Sequence, residues 1–143
     1  MNEAPVNDPI LTRFRSAVAE LMPLCEKTQT SLIIGGVFNS GILATGPVDG
    51  ANFDYMPATE EVRAKVAAME AIAKNNGLPL AAPALQFPLH NPLVASVLIG
   101  TGKASSLNRN IENFAQPVPD SLYPEFEPYA LVAPPLGEDA VRV

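Results

Sequence analysis

The chain has 143 residues and a mass of 15.1 kDa, with nine Lys+Arg against 15 Asp+Glu and a formal net charge of −6. A chain of this length buries about 70% of the surface its unfolded form exposes, which is enough for one core, so residues 1–143 read as a single domain. A hydrophobic content of 48% with only 17% charged residues excludes a disordered chain. The acidic balance, with a sequence pI near 4.6, argues against nucleic-acid binding, which needs a concentrated basic surface. The single cysteine, Cys25, excludes an internal disulfide, and Cys25 and His90 are too few N and S donors for a zinc site. Met1-Asn2-Glu3-Ala4 carries no basic leader, so a reducing cytoplasm is the expected location.

Residues 1–10 form an irregular, proline-containing lead-in. From Leu11 to Lys27, apolar residues Phe14, Val18, Leu21 and Leu24 recur at helical spacing, with Pro23 expected to break the helix or open a second one. The run Ser31 to Val37 lacks polar alternation and ends in glycines, which predicts a strand buried on both faces, as in a parallel sheet. Gly46-Pro47, Asp49-Gly50 and Met56-Pro57 mark residues 41–57 as a loop. Thr59 to Asn76 is the clearest helix. It has Thr59 as N-cap, Glu60 and Glu61 at the positive end of the dipole, Val62, Val66, Met69 and Ala73 on one face, and Gly77 as the stop.

Leu78-Pro79-Leu80 fits a very short strand, followed by an apolar helical piece from Ala81 to about His90. Val94 to Ile99 is a second buried-strand run, ended by Gly100-Thr101-Gly102, after which Leu107, Ile111 and Phe114 return to helical spacing. Residues 117–143 are a proline-rich tail with a short helix near Ser121 to Phe126. Asn75 to Gly102 contains no charged residue and is long enough to span a bilayer. Pro79, Pro83, Pro88 and Pro92 would leave backbone groups unsatisfied in lipid, so the stretch reads as buried soluble structure. Strands alternating with helices predict parallel βαβ units, with both glycine clusters at the carboxyl edge, where such sheets bind ligands.

Gly100-Thr101-Gly102 leads from a strand into a helix near Ser105, so its N–H groups suit an anion, with hydroxyls from Thr101, Ser105 and Ser106 nearby. The motif lacks the third glycine of a dinucleotide fingerprint, and on spacing alone an ordinary strand–helix turn is the better reading. Gly35 to Gly41 is a similar case: Phe38, Asn39 and Ser40 either face a ligand or shape a turn. His90, the one imidazole, reads as a capping or packing residue rather than a general base, and Cys25 beside Glu26 as an inert thiol. No catalytic constellation emerges.

Phe38-Asn39-Ser40-Gly41-Ile42-Leu43-Ala44-Thr45-Gly46 resembles the loop after the sixth barrel strand of aldo/keto reductases. Within that family it is similar to the bacterial branch acting on L-fucose, D-threo-aldose or pyridoxal. Leu80 to Phe87 resembles the seventh-unit helix, and Val94 to Asn113 the eighth strand, cofactor loop and helix. The likeness runs from about Leu21 to Pro135 and implies an α/β fold: a partial (β/α)8 TIM barrel, its last three βα units followed by the tail.

The resemblance further implies a nicotinamide dinucleotide cofactor. Gly36, Val37, Phe38, Asn39, Ser40, Gly41 and Leu43 would line its ribose and pyrophosphate. Gly100, Thr101, Gly102 and Ser106 would face the adenosine end, and Asn110 the adenine. Many NADP-dependent members carry Lys and Arg where this chain has Gly100 and Ser106, which favours NAD, while Lys103 and Arg109 leave NADP open. Gly35 replaces the aromatic residue that stacks on the nicotinamide in many members. The family's Asp, Tyr, Lys and His tetrad belongs to the first half of the barrel and has no counterpart in this chain, so no catalytic residue is assigned. The expectation is an oxidoreductase-type cofactor-binding piece that does not catalyse alone. Its open strand edges would lead it to self-associate or to pair with a separate amino-terminal half-barrel. The rival readings are a non-catalytic interaction protein with a vestigial groove and a truncated product.

Overall fold

The computed structural model describes residues 14–130, with side chains from residue 21 onward; the lead-in and the last part of the tail lie outside the described residues. Helix α1 spans Phe14–Thr28 and runs straight through Pro23, where a break was expected. The proline leaves the carbonyl one turn earlier without its N–H donor, a loss the helix absorbs rather than ending. Strand β1 (Leu32–Gly35) follows, and then the short helix α2 (Ile42–Thr45). A minimal antiparallel hairpin, β2 (Asn52–Phe53) with β3 (Met56–Pro57), lies inside the stretch expected to be loop.

Helix α3 (Glu60–Asn75) forms as its sequence dictates at both ends. The Thr59 hydroxyl accepts from the Val62 N–H at 3.3 Å. At the other end Gly77, at φ +72°, lets Leu78 N–H reach the Ala73 carbonyl (3.0 Å) and its own N–H reach that of Lys74 (2.9 Å). This double bond to the last turn requires a left-handed residue that glycine supplies without strain. The predicted face of Val62, Val66, Met69 and Ala73 is the buried one.

Leu78 to Leu80 is not a strand. Leu80 is already helical (φ −57°, ψ −29°) and leads into α4 (Ala81–Gln86), which a 3₁₀ turn, Phe87–His90, extends. Pro79 cannot donate to a ladder, and its carbonyl instead accepts from Ala82 N–H at 3.0 Å. Leu78 and Leu80 are apolar because they pack between helices. Strand β4 (Val94–Leu98) then pairs in parallel directly with β1, Gly35 opposite Leu98. The described residues therefore hold two parallel strands where three strand–helix units were expected.

Helix α5 (Ala104–Phe114) and α6 (Tyr123–Phe126), flanked by 3₁₀ turns, complete the order. The larger core joins α2, α3, α4 and α6 through Ile42, Met69, Leu80, Leu122 and Phe126. A smaller one seats Ile34, Val37 and Val94 against Leu85 of α4, and Phe38 touches both. Only one face of the strand pair is covered. Ile34 and its partner Val97 face α4, whereas Ile33 and Leu98 are exposed, so the strands are not buried on both faces as their composition predicts.

Candidate functional site at the carboxyl edge of the paired strands

Because β1 and β4 are parallel and adjacent, the turns leaving them start side by side, about 4.8 Å apart, the ordinary strand spacing. The first turn is tightly shaped. After Gly36 (φ +72°), Asn39, Ser40 and Gly41 are three successive left-handed residues at φ +47°, +61° and +100°. A non-glycine residue there costs energy, of order 1–3 kcal/mol each, and persists only where neighbours hold it. The holding group is the hairpin tip, whose Asp54 and Tyr55 are themselves left-handed, at φ +51° and +63°. Tyr55 N–H donates to Ser40 Oγ (2.8 Å) and Asp54 N–H to Asn39 Oδ1 (3.3 Å). Two strained dipeptides, 15 residues apart in sequence, thus clasp one another.

Within that turn the candidate residues divide. Gly36 and Ser40 are exposed, Phe38, Asn39 and Gly41 are half-buried, and Val37 and Leu43 are buried. Val37 belongs to the smaller core and Leu43 to the larger, so their side chains support the turn from beneath. The Asn39 amide oxygen and the Ser40 hydroxyl are engaged by the hairpin.

The second turn is more open. Gly100, Thr101 and Gly102 are all exposed. Thr101 Oγ1 donates to the Lys103 carbonyl (3.1 Å) and accepts from its N–H (3.4 Å), fixing the approach to α5. The Lys103 carbonyl accepts from Ser106 and Leu107 N–H, at 3.0 and 3.1 Å, as the first bonds of the helix. Ser106 and Asn110, four residues apart and both half-buried, lie on one flank of α5. Asn110 also borders a cleft of about 370 Å³, whose other walls, apart from Ser96, are apolar, among them Leu85, Leu89, Val97 and Ile111. Lys103 and Arg109 point to solvent.

Two features carried no readable signal in the sequence. One is the hairpin clasp. The other is Gln86, whose Nε2 donates to the carbonyls of Asn113 (3.4 Å), Phe114 (3.1 Å) and Gln116 (2.8 Å), fastening the end of α5 to α4. His90 sits just before β4, at the opposite edge of the strands from the glycine turns. It packs edge-on against Tyr123 at 4.6 Å, with Asp120 Oδ1 3.9 Å from Nε2. That is the packing role its sequence context suggests. Cys25 is a buried free thiol. Among the described residues no group of three or more His, Cys, Asp or Glu side chains could hold a metal, and no helix is long and apolar enough to cross a membrane.

Parallel strands with helices between and after them, and glycine turns side by side at their carboxyl edge, define an α/β protein of the class whose ligands bind at that edge. The model of the aldo/keto reductase family matches residues 6–128, and the chain belongs to that family. It is 37% identical over 114 residues to the pyridoxal 4-dehydrogenase of Microbacterium luteolum, covering 80% of this chain and 33% of that protein. It is 33% identical over 120 residues to the D-threo-aldose 1-dehydrogenase of a Pseudomonas species, covering 83% and 36%. Among solved structures, the aldo-keto reductase AKR11C1 from Bacillus halodurans superposes in its apo form with a TM-score of 0.61 at 18% identity. That match covers 96% of this chain and 44% of that one. The holo form gives the same score at 19% identity. The fold is thus part of the aldo/keto reductase barrel, and the chain spans about a third of the length of these two dehydrogenases.

Proposed function

We propose that this chain is the cofactor-binding part of an NAD(P)-dependent aldo/keto reductase-type dehydrogenase and that it does not complete the reaction by itself. The observation that carries this reading is the convergence of two open glycine turns at one edge of a parallel strand pair. The turns fit a dinucleotide at the level of the backbone. A Cβ placed on Gly36, Gly41, Gly100 or Gly102 would meet nothing within 4 Å, so a ligand can approach the main chain directly. In the bound complex Gly36 to Gly41 would receive the nicotinamide ribose and pyrophosphate through main-chain groups, with Phe38 beside them. Gly100 to Gly102 would receive the adenosine ribose, while Ser106 and Asn110 would hydrogen-bond the adenine side from one helix flank.

The nicotinamide, when bound, would supply the hydride-accepting ring. The residues here orient and desolvate it. The one imidazole, His90, lies at the other end of the strands. NAD is favoured over NADP because the turn presents Gly100 and the helix Ser106, neither of them a cation for a 2′-phosphate. A single cysteine kept as a buried thiol suits a reducing compartment, which we take to be the cytoplasm.

Titration of NADH and, separately, NADPH with the purified chain tests the proposal by nicotinamide fluorescence, unobscured because the chain has no tryptophan. Saturable NADH binding, weakened about 5- to 10-fold by Asn110→Ala as loss of one to two hydrogen bonds requires, is the expected result. Absence of binding at millimolar protein overturns it.

A further inference from the structure

Part of the first glycine turn's hydrogen-bonding capacity is closed on itself. Asn39 N–H donates to the Gly36 carbonyl (2.9 Å) and Gly41 N–H to that of Phe38 (3.0 Å), so two main-chain donors are used inside the turn. An anion seated there draws on side chains as well, and the polar ones within the turn are the Asn39 amide and the Ser40 hydroxyl. Each of these groups carries both a donor and an acceptor. An acceptor lone pair facing a phosphate oxygen repels it, so such a group serves an anion only when its acceptor is occupied elsewhere. The hairpin tip occupies both. Tyr55 N–H donates to Ser40 Oγ (2.8 Å) and Asp54 N–H to Asn39 Oδ1 (3.3 Å). The hydroxyl then keeps its O–H to donate, and Asn39 Nδ2, with two N–H, lies on the other branch of the amide. Asp54 makes its bond to Asn39 through the main chain, not through its carboxylate.

Resting on the reading above, we infer that the hairpin tip, Asp54 and Tyr55, is a positioning element for the diphosphate of the ligand. It binds the acceptor halves of Asn39 and Ser40 and leaves the turn to present their donors. The distribution of backbone strain fits this role. Of five described non-glycine residues with left-handed backbone, four are the clasp residues Asn39, Ser40, Asp54 and Tyr55. Asn and Asp tolerate that conformation, but a tyrosine does so only where its surroundings hold it. The tip is in turn fixed from below. Ala51 is buried in the larger core, and Phe53 and Ala58 pack against it. Ala58 N–H closes the base of the hairpin on the Ala51 carbonyl at 2.8 Å, and Asn52 and Phe53 pair with Pro57 and Met56 above it. A core-anchored hairpin therefore sets the direction of two donors 15 residues earlier in the chain, and Asp54 and Tyr55 act on the ligand only through them.

Two variants of the full chain test this. Replacing Tyr55 by its α-hydroxy acid turns the Asp54–Tyr55 amide into an ester and removes the N–H that Ser40 Oγ accepts, with every side chain kept. NADH is titrated by nicotinamide fluorescence, and amide hydrogen exchange is read without nucleotide. Exchange at residues 38–41 should quicken while that in Val94–Leu98 stays unchanged, and NADH affinity should fall about 5- to 10-fold. Asn39→Asp keeps an acceptor for Asp54 N–H and tolerates the left-handed backbone, but puts a carboxylate oxygen in place of the donor branch. Turn exchange should then match the parent chain while NADH binding weakens about tenfold or more. A role confined to holding the turn would leave binding by this variant unchanged. Thermal melts establish that both variants fold, and Asn39→Asp decides the matter if the ester does not. NADH binding as tight as the parent's in either folded variant overturns the inference and leaves the cofactor site standing. A parent chain that binds no NADH overturns the cofactor site itself, and the inference with it.

Discussion

Phe126 and Ala73 are 0% exposed and Met69 1%, whereas a short distance away, across Phe38, two large aliphatic side chains of the strand pair stand in solvent. The two regions are built from the same kind of apolar residue. What separates them is where their covers come from. The helical core is sealed from within the described chain, by α2, α3, α4 and α6 with its flanking 3₁₀ turns, each bringing an apolar side to a common centre. The strand pair has one cover, α4, and its other face is bare among the described residues. Apolar composition states that a segment is to be buried; it does not state by what.

That contrast can be broken most severely from within the core. Phe126→Ala empties a fully buried aromatic site and should lower stability by about 3–5 kcal/mol, seen as a fall in the urea midpoint at unchanged slope. A smaller effect follows from local structure alone. Thr59→Ala removes the oxygen that accepts from Val62 N–H and should cost about 1 kcal/mol by the same measurement, with Thr59→Ser restoring most of it. The smallest effect sharpens the comparison from the other side. Leu98→Lys in the isolated chain should change stability by no more than about 0.5 kcal/mol, because the leucine there loses little burial. A large loss would place Leu98 in a core and remove the open face.

Much of the fold is legible in residues whose information is local. Thr59, the glutamates after it, the face Val62–Val66–Met69–Ala73 and Gly77 define α3, because capping, dipole and periodicity all act within a few residues. The two glycine turns announce themselves for the same reason, and the loop around Phe38–Asn39–Ser40–Gly41 carries the family likeness that the family model over residues 6–128 supports. Local signals mislead where two structures share them. Leu78-Pro79-Leu80 shows the alternation of a strand, and its leucines are buried between helices; Pro23 reads as a break, and α1 continues through it.

The candidate site shows the same division. The sequence by itself determined that glycine-rich turns follow two apolar runs, and that Ser106 and Asn110 share a helix flank, since helical spacing requires it. Only the tertiary structure decided that the two runs pair directly and in parallel, which sets the turns side by side. It also decided that Val37 and Leu43 face inward, and that Asn39 and Ser40 are held by a hairpin 15 residues away. Those outcomes depend on which distant surfaces meet. Burial and strand pairing are properties of two partners, and a linear pattern describes only one of them.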